Sequence, residues 1–489
     1  MPKQSKSVLR SGQAAVAVRA RVPVVAQALL KQTPVLAVLV GAPGIAALIE
    51  RQRDLSLALL TPTVALIALG FISRQYETQK DVRRIEAVAT LALIFVISTL
   101  LAVPAFMTLN MSPWDAMFEA ASGITTTGLS VATDAESWPI SAHFLRAWMQ
   151  WCGGVVIAIA GVALLMDSGR AAKVLGNQAV GGTDYFASTR AKARLVLTAY
   201  SIITVLGVLI SIPLFPGWWE GPMIALTAVS TGGFSPRDSS LADYSAGAQA
   251  FAILLCITTS VSLLFYAVAV KLGPRSALSR GTVPVTLGII LAGSLIYLVL
   301  HVIMQGWNGK AVFLGVLNHI SAQTTAGFST SPVASFSPIM LLFILAMVLG
   351  GDVGSTTGGL KTARVTMLIR MAGLVFLRLR LPASAVSHLK IGKKRADSEA
   401  ILFSGALLVI YLASTLVFWT ALCLADHPPL PALFDAVSAL SGVGLSAGVI
   451  GPDLGTGLKV MAVFAMLVGR LEFFVLIALF LPSTWISRS

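Results

Sequence analysis

A chain of 489 residues that is 56% hydrophobic and 11% charged, with a mean hydropathy of +0.84, is not composed like a soluble domain, where about 25% of residues carry charge. Apolar runs of bilayer length recur from end to end, which points to a polytopic membrane protein. The formal charge of +14 does not signal a nucleic-acid partner, because Lys and Arg fall in short loops between apolar runs, as the positive-inside rule expects.

Residues 1–32 read as a basic cytoplasmic segment: Lys3, Lys6, Arg10, Arg19, Arg21 and Lys31 all precede the first acid, Glu50. A basic helix lying on anionic membrane lipids and a loosely ordered tail fit it equally well, and no secretory signal peptide is expected. About ten spans follow, at 33–49, 56–73, 85–106, 143–166, 195–214, 248–270, 283–304, 338–375, 400–424 and 457–481, the eighth broken near its middle by glycine. Between them lie four apolar pieces too short to cross, near 114–123, 219–229, 311–322 and 431–440. Each runs directly into a Gly/Ser/Thr segment. Polar backbone at membrane depth survives only inside protein or beside water, so four such pieces imply one aqueous pathway. Loop charge puts both termini on the cytoplasmic side and has the short helices enter from outside; Arg51 and Arg53 disagree weakly, flanked by Glu50 and Asp54.

The four short pieces share one register. Aligned on Gly128, Gly233, Gly327 and Gly444, every copy has serine two residues later: Ser130, Ser235, Ser329 and Ser446. Three residues earlier every copy has a hydroxyl (Thr125, Ser230, Thr324, Ser441), and six earlier again (Ser122, Thr227, Ser321, Ser438). A large apolar residue follows each glycine: Leu129, Phe234, Phe328 and Leu445. Nine residues before the glycine the copies diverge, to Glu119, Ile224, Asn318 and Asp435; Glu119 and Asp435 suit either cation attraction at an outer mouth or bracing of nearby backbone. A cation in a pore exchanges its hydration shell for oxygens, and backbone carbonyls supply them where glycine permits the dihedrals that align them. The candidate ion-binding residues are therefore Thr126, Thr127 and Gly128; Thr231, Gly232 and Gly233; Thr325, Ala326 and Gly327; and Gly442, Val443 and Gly444.

Enzymatic readings find no support. Cys152, Cys256 and Cys423 lie in apolar stretches without a CxxC neighbourhood, the five histidines are scattered, and HExxH does not occur. Gly354 to Lys361 resembles a Walker A loop only superficially, since Leu360 separates glycine from lysine and a membrane helix precedes it. No cofactor is expected in this chain. A coupled secondary transporter moving its solute with Na⁺ or H⁺ also uses broken helices, but through two inverted repeats, where this chain shows four in one direction.

These residues resemble the Trk/Ktr/HKT superfamily of cation transporters, most closely its bacterial TrkH and KtrB pore subunits. Trp148-Met-Gln-Trp151-Cys-Gly153-Gly154 is similar to the family's WxQWxGG. Gly350-Gly-Asp-Val-Gly354-Ser-Thr-Thr-Gly358-Gly359-Leu-Lys361 is similar to its GGxxGSTxGGxK, and Gly469-Arg470-Leu-Glu472 to its last span. The resemblance implies an all-α membrane protein with four M1–pore-helix–M2 repeats around a pseudo-fourfold pore, plus two extra N-terminal spans. Residues 33–84 would be the extra pair, and 85–170, 195–275, 283–395 and 399–489 the repeats. It implies K⁺ uptake down the electrochemical gradient through a carbonyl filter; Na⁺-preferring members often carry serine where Gly128 stands. It also implies a gate beneath the filter, made by Gly350, Gly351, Gly354, Ser355, Thr356, Thr357, Gly358, Gly359 and Lys361 with Arg470. The expected partners are a second copy, in a homodimer, and a cytoplasmic nucleotide-binding regulatory subunit of TrkA or KtrA type, in the bacterial plasma (inner) membrane. The basic loop from Arg378 to Arg395 is a plausible contact for that subunit, by charge and side.

Overall fold

The computed structural model describes residues 19–76, 82–161, 189–280, 282–332, 338–380, 382, 390–391, 394–395 and 398–485. Two helices open the chain, α1 (Val22–Ile49) and α2 (Arg53–Ser73). They pack closely through small residues: a Cβ added at Gly41 would come within 2.9 Å of Thr63, and one at Gly70 within 3.3 Å of Thr33. The first helix starts at Val22, not near 33 as its hydropathy suggests. Its first turn is anchored by Arg21, whose Nε and Nη2 donate to the buried Glu86 at 2.7 and 3.0 Å, and Lys31 is satisfied by the carbonyls of Ser73 and Tyr76. Residues 1–18, with most of the basic segment, lie outside the described residues, as does much of the loop from Arg378 to Arg395.

The remaining helices repeat one pattern: a long helix, a short one and a second long one. The first repeat has α3 (Arg84–Met107), α4 (Pro113–Ile124) and α5 (Ile140–Ala160). The second has α6 (Thr189–Ser211), α7 (Glu220–Val229) and the pair α8 (Ala246–Ser260) and α9 (Leu263–Leu272), followed by α10 (Pro274–Arg280). The third has α11 (Val283–Gln305), α12 (Gly309–Gln323), α13 (Pro338–Leu349) and α14 (Thr362–Arg378). After a two-residue antiparallel pair, Lys390–Ile391 with Lys394–Arg395, the fourth has α15 (Ser398–Leu424), α16 (Pro429–Ser441), α17 (Thr456–Arg470), α18 (Phe474–Phe480) and α19 (Pro482–Trp485). Among the described residues six helices are long and apolar enough to cross a bilayer, seven if α8 and α9 count as one bent span. This is an all-helical, multi-pass membrane architecture.

Two of the four short helices start on polar caps: at Ser112, whose Oγ accepts from Asp115 N–H, and at Asn308, whose Oδ1 accepts from Ala311 N–H. The extra pair holds the first repeat through Glu50, whose carboxylate accepts the N–H groups of Ile140 and Ser141 at the start of α5.

Three second-long helices are broken, where the sequence announces one. Glycine breaks the eighth span at 350–361, as expected. The sixth bends by 78° between α8 and α9, and the tenth breaks at 471–473. Neither of these two breaks contains glycine or proline. Tertiary bonds open the sixth instead: Ser260 O accepts from Asp352 N–H, Thr259 O from Thr356 N–H, and Leu263 N–H donates to Gly354 O. In the tenth, Glu472 and Phe473 take positive φ of 54° and 58°.

Candidate functional site

The four short helices end identically. The N–H two residues before each glycine bonds back three residues, from Thr126, Thr231, Thr325 and Gly442 to Gly123, Ala228, Ala322 and Ala439. The next N–H bonds back five, from Thr127, Gly232, Ala326 and Val443 to Ser122, Thr227, Ser321 and Ser438. This is a Schellman ending, and it needs a left-handed residue in the middle. Thr126, Thr231, Thr325 and Gly442 fill that place with φ of 54°, 53°, 52° and 60°. Threonine there costs about 1–2 kcal/mol, so three of the four turns store strain that the surrounding packing sustains. Three of the hydroxyls three residues before the glycine stay local, as when Thr125 Oγ1 donates to Ala121 O and Thr324 Oγ1 to Ile320 O, while Ser441 Oγ bonds the Tyr411 hydroxyl at 2.7 Å.

The aligned glycines are left-handed as well, with φ of 87°, 81°, 77° and 102° at Gly128, Gly233, Gly327 and Gly444. Each lies against the carbonyl of the residue before the next glycine. A Cβ on Gly128 would sit 2.0 Å from Gly232 O, on Gly233 2.3 Å from Ala326 O, on Gly327 2.0 Å from Val443 O, and on Gly444 2.3 Å from Thr127 O. The contacts run one to two, two to three, three to four and four to one. The segments therefore form a closed ring in chain order. All four glycines line one cavity of about 340 Å³, with Ser130, Ser235, Ser329, Ser446, Arg146, Arg237 and Asp238 further around its wall.

Beneath the ring lies the loop at 350–361. It folds on itself through Thr357, whose Oγ1 accepts Gly351 N–H and lies 2.7 Å from Ser355 Oγ. Lys361, buried and at φ 72°, donates to the Thr357 carbonyl and hydroxyl. The loop meets the second repeat through Thr356 Oγ1, which bonds Val229 O and Thr231 Oγ1, each at 3.3 Å. It meets the third through Gly358 N–H on Thr325 Oγ1 at 2.7 Å, and the fourth through Gly359 N–H on Ser441 O at 3.0 Å. Gly358 is fixed by closeness, since a Cβ would lie 1.8 Å from Ser441 O. Among the described residues no hydrogen bond joins the loop to the first segment. Arg470 Nη1 donates to Thr356 O at 2.8 Å, while its buried Nε and Nη2 have no partner among the described residues. Glu472 turns away from Arg470 and pairs with Arg364 at 2.8 Å.

Residues 74–265 and 285–489 match the family described as TrkH, cation transport protein. The chain belongs to the TrkH family. A Trk system potassium uptake protein TrkH of Halomonas elongata is 30% identical over 403 residues, covering 77% of this chain and 80% of that protein. An uncharacterized cation transporter of Methanocaldococcus jannaschii is 26% identical over 431 residues, 86% of this chain and 87% of its own length. The crystal structure of the potassium transporter TrkH from Vibrio parahaemolyticus superposes with a TM-score of 0.82 at 21% identity, over 95% of this chain and 99% of that one, a likeness of fold.

Within this TrkH-family fold, every residue of the four candidate segments lies at the ring, and the glycine-rich stretch lies directly beneath it with Arg470. The carboxylates nine residues before the glycines prove to be braces. Asp435, fully buried, accepts from Ser446 Oγ and from the N–H groups of Ala447, Val449 and Ile450 at 2.6–3.1 Å. Glu119 accepts from Ser130 Oγ and Val131 N–H and pairs with Arg146 at 2.9 Å. Asn318 does the same neutrally, accepting Thr330 N–H and donating to Ser331 O. Ile224 cannot, and in the second repeat Arg146 reaches across to donate to Ser235 O, its guanidinium 4.0 Å over the Phe234 ring. Glu220, Arg237 and Tyr244 tie the following loop; burial, and then the bond to Glu220, push the Tyr244 phenol up, so it remains a donor. Arg146 and Gln150 escaped the sequence reading. Gln150 stood there only as one letter of the Trp148 to Gly154 motif, and Arg146, three residues after His143 on the same helix, carried no signal.

Proposed function

We propose that this chain takes up K⁺, passing it down its electrochemical gradient through the ring of Gly128, Gly233, Gly327 and Gly444. The closed cycle of glycine-to-carbonyl contacts carries this reading, because it brings backbone oxygens of all four repeats around one axis without a carboxylate that would trap the ion. Potassium uptake relatives in the same family support the choice of ion, as does Gly128 at the first position. The cavity of about 340 Å³ is the outer mouth on this reading, and both chain termini face the cytoplasm of a bacterial inner membrane.

The loop at 350–361 is the gate. Its bonds to three repeats obstruct the path beneath the ring, and the two unpaired nitrogens of Arg470 and the ammonium of Lys361 oppose a passing cation. A homodimer working with a cytoplasmic nucleotide-binding regulatory subunit of TrkA or KtrA type fits relatives named as parts of a Trk system.

The test is ion flux in proteoliposomes holding K⁺ or Na⁺ gradients, with wild type beside Gly128→Ser. Passive K⁺ flux above Na⁺ flux is expected. Serine at φ 87° and against Gly232 O should erode that preference by about tenfold. No passive flux of either ion, with the regulatory subunit present, would favour a coupled transporter.

A further inference from the structure

Gln150 lies on α5 of the first repeat, fully buried, and its carboxamide ends in the second repeat. Its Nε2 donates to Gly232 O at 2.6 Å, and its Oε1 accepts from Phe234 N–H at 3.2 Å. These two groups belong to the successive peptides on either side of the Gly233 Cα. A trans peptide is planar and holds its C=O opposite its N–H. The Phe234 N–H turned toward Gln150 therefore sends the Gly233 carbonyl the other way, away from α5, while the Gly232 carbonyl is held against the amide. The orientation of the side chain is fixed too, since the flipped amide would set donor against donor at Phe234 and acceptor against acceptor at Gly232.

No other repeat has this device. Among the described residues, the peptides flanking Gly128 and Gly327 take no side-chain hydrogen bond, and in the fourth repeat only Gly444 N–H does, to Ser438 Oγ of its own helix. The amide also accounts for a departure in the repeat. The residue before the aligned glycine is Thr127, Ala326 or Val443 in three copies but Gly232 in the second. A Cβ there would lie 2.4 Å from Gln150 Cδ and Oε1. Gln150 and Gly232 are a matched pair across two repeats.

We propose that Gln150 is a positioning residue for ion selectivity: from the first repeat it grips both peptides around Gly233 and aims that carbonyl at the conduction axis. The inference rests on the conduction reading above and assigns the ion ligand in the second repeat to Gly233 O, not Gly232 O. The carboxamide donates and accepts at the same time, so an apolar side chain of similar length keeps the packing and loses the grip.

The experiment compares K⁺ and Na⁺ flux through wild type and Gln150→Met in proteoliposomes. The expected result is K⁺ flux that persists while the preference for K⁺ over Na⁺ falls about tenfold, the worth of a buried hydrogen bond of about 1.4 kcal/mol. An unaltered preference in Gln150→Met beside a normal wild type overturns the role of Gln150 and leaves conduction standing. A wild type without passive flux overturns conduction itself. Should Gln150→Met not assemble, Gly232→Ala decides. It should lose preference with Gln150 in place and regain part of it in the Gln150→Ala/Gly232→Ala double variant, and unchanged preference in Gly232→Ala refutes the matched pair.

Discussion

The glycine ring repeats one backbone solution four times, whereas the loop beneath it occurs once and meets the repeats unequally. The ring is built from main-chain bonds, Schellman turns and buried braces such as Asp435, which accepts four donors. The loop has main-chain bonds of its own to the second and fourth repeats, but it is also held by threonine and serine hydroxyls and by two cations whose charges are only partly met. A part that must keep sub-ångström dimensions is made of bonds that cannot rearrange singly. On the proposed reading the loop is the part that yields, and many of its ties are side-chain bonds worth about 1 kcal/mol each.

If that contrast is real, damage to the ring should appear as lost structure and damage to the loop as gained flux. Asp435→Ala leaves three backbone N–H groups and a hydroxyl without their acceptor in a buried place, and should destabilise the protein by about 3 kcal/mol. Thermal melting followed by size exclusion reads this; a wild-type melting profile would mean the carboxylate braces nothing. Next in size, Arg470→Ala removes a buried cation beneath the ring and should raise passive K⁺ flux about tenfold, a barrier change of ~1.4 kcal/mol, without altering the melting profile. A flux at or below wild type would remove Arg470 from the gate. Smallest is the Arg364–Glu472 pair, whose loss should raise flux about threefold, since a partly exposed pair is worth only about 0.5–1 kcal/mol. Arg364→Gln and Glu472→Gln should not add when combined, and strict additivity in that cycle would mean the two act apart.

The ring was largely legible in the sequence because its signal is local: four short helices with hydroxyls and glycine in one register. Legibility failed where a tertiary partner supplies the bond. Thr259-Ser260-Val261-Ser262 carries no breaker, and α8 ends there because Asp352 and Thr356 take the carbonyls of Ser260 and Thr259. The break after Arg470 is a Schellman ending with Glu472 in glycine's usual place, joined to Arg364 more than a hundred residues away. Gln150 was visible only as one letter of a motif, and its meaning depends on Gly232, a glycine the register alone would have assigned to the ion.

If the loop at 350–361 is the gate, as proposed, the bend between α8 and α9 constrains how it opens. The carbonyls of Thr259 and Ser260 and the N–H of Leu263 are satisfied by the loop and by nothing else among the described residues. Withdrawing the loop strands them at membrane depth, where each orphaned group costs about 1–3 kcal/mol unless water reaches it. The loop cannot leave a dry space behind: its departure and the hydration of the passage beneath the ring are one event, and agents that lower water activity should slow it.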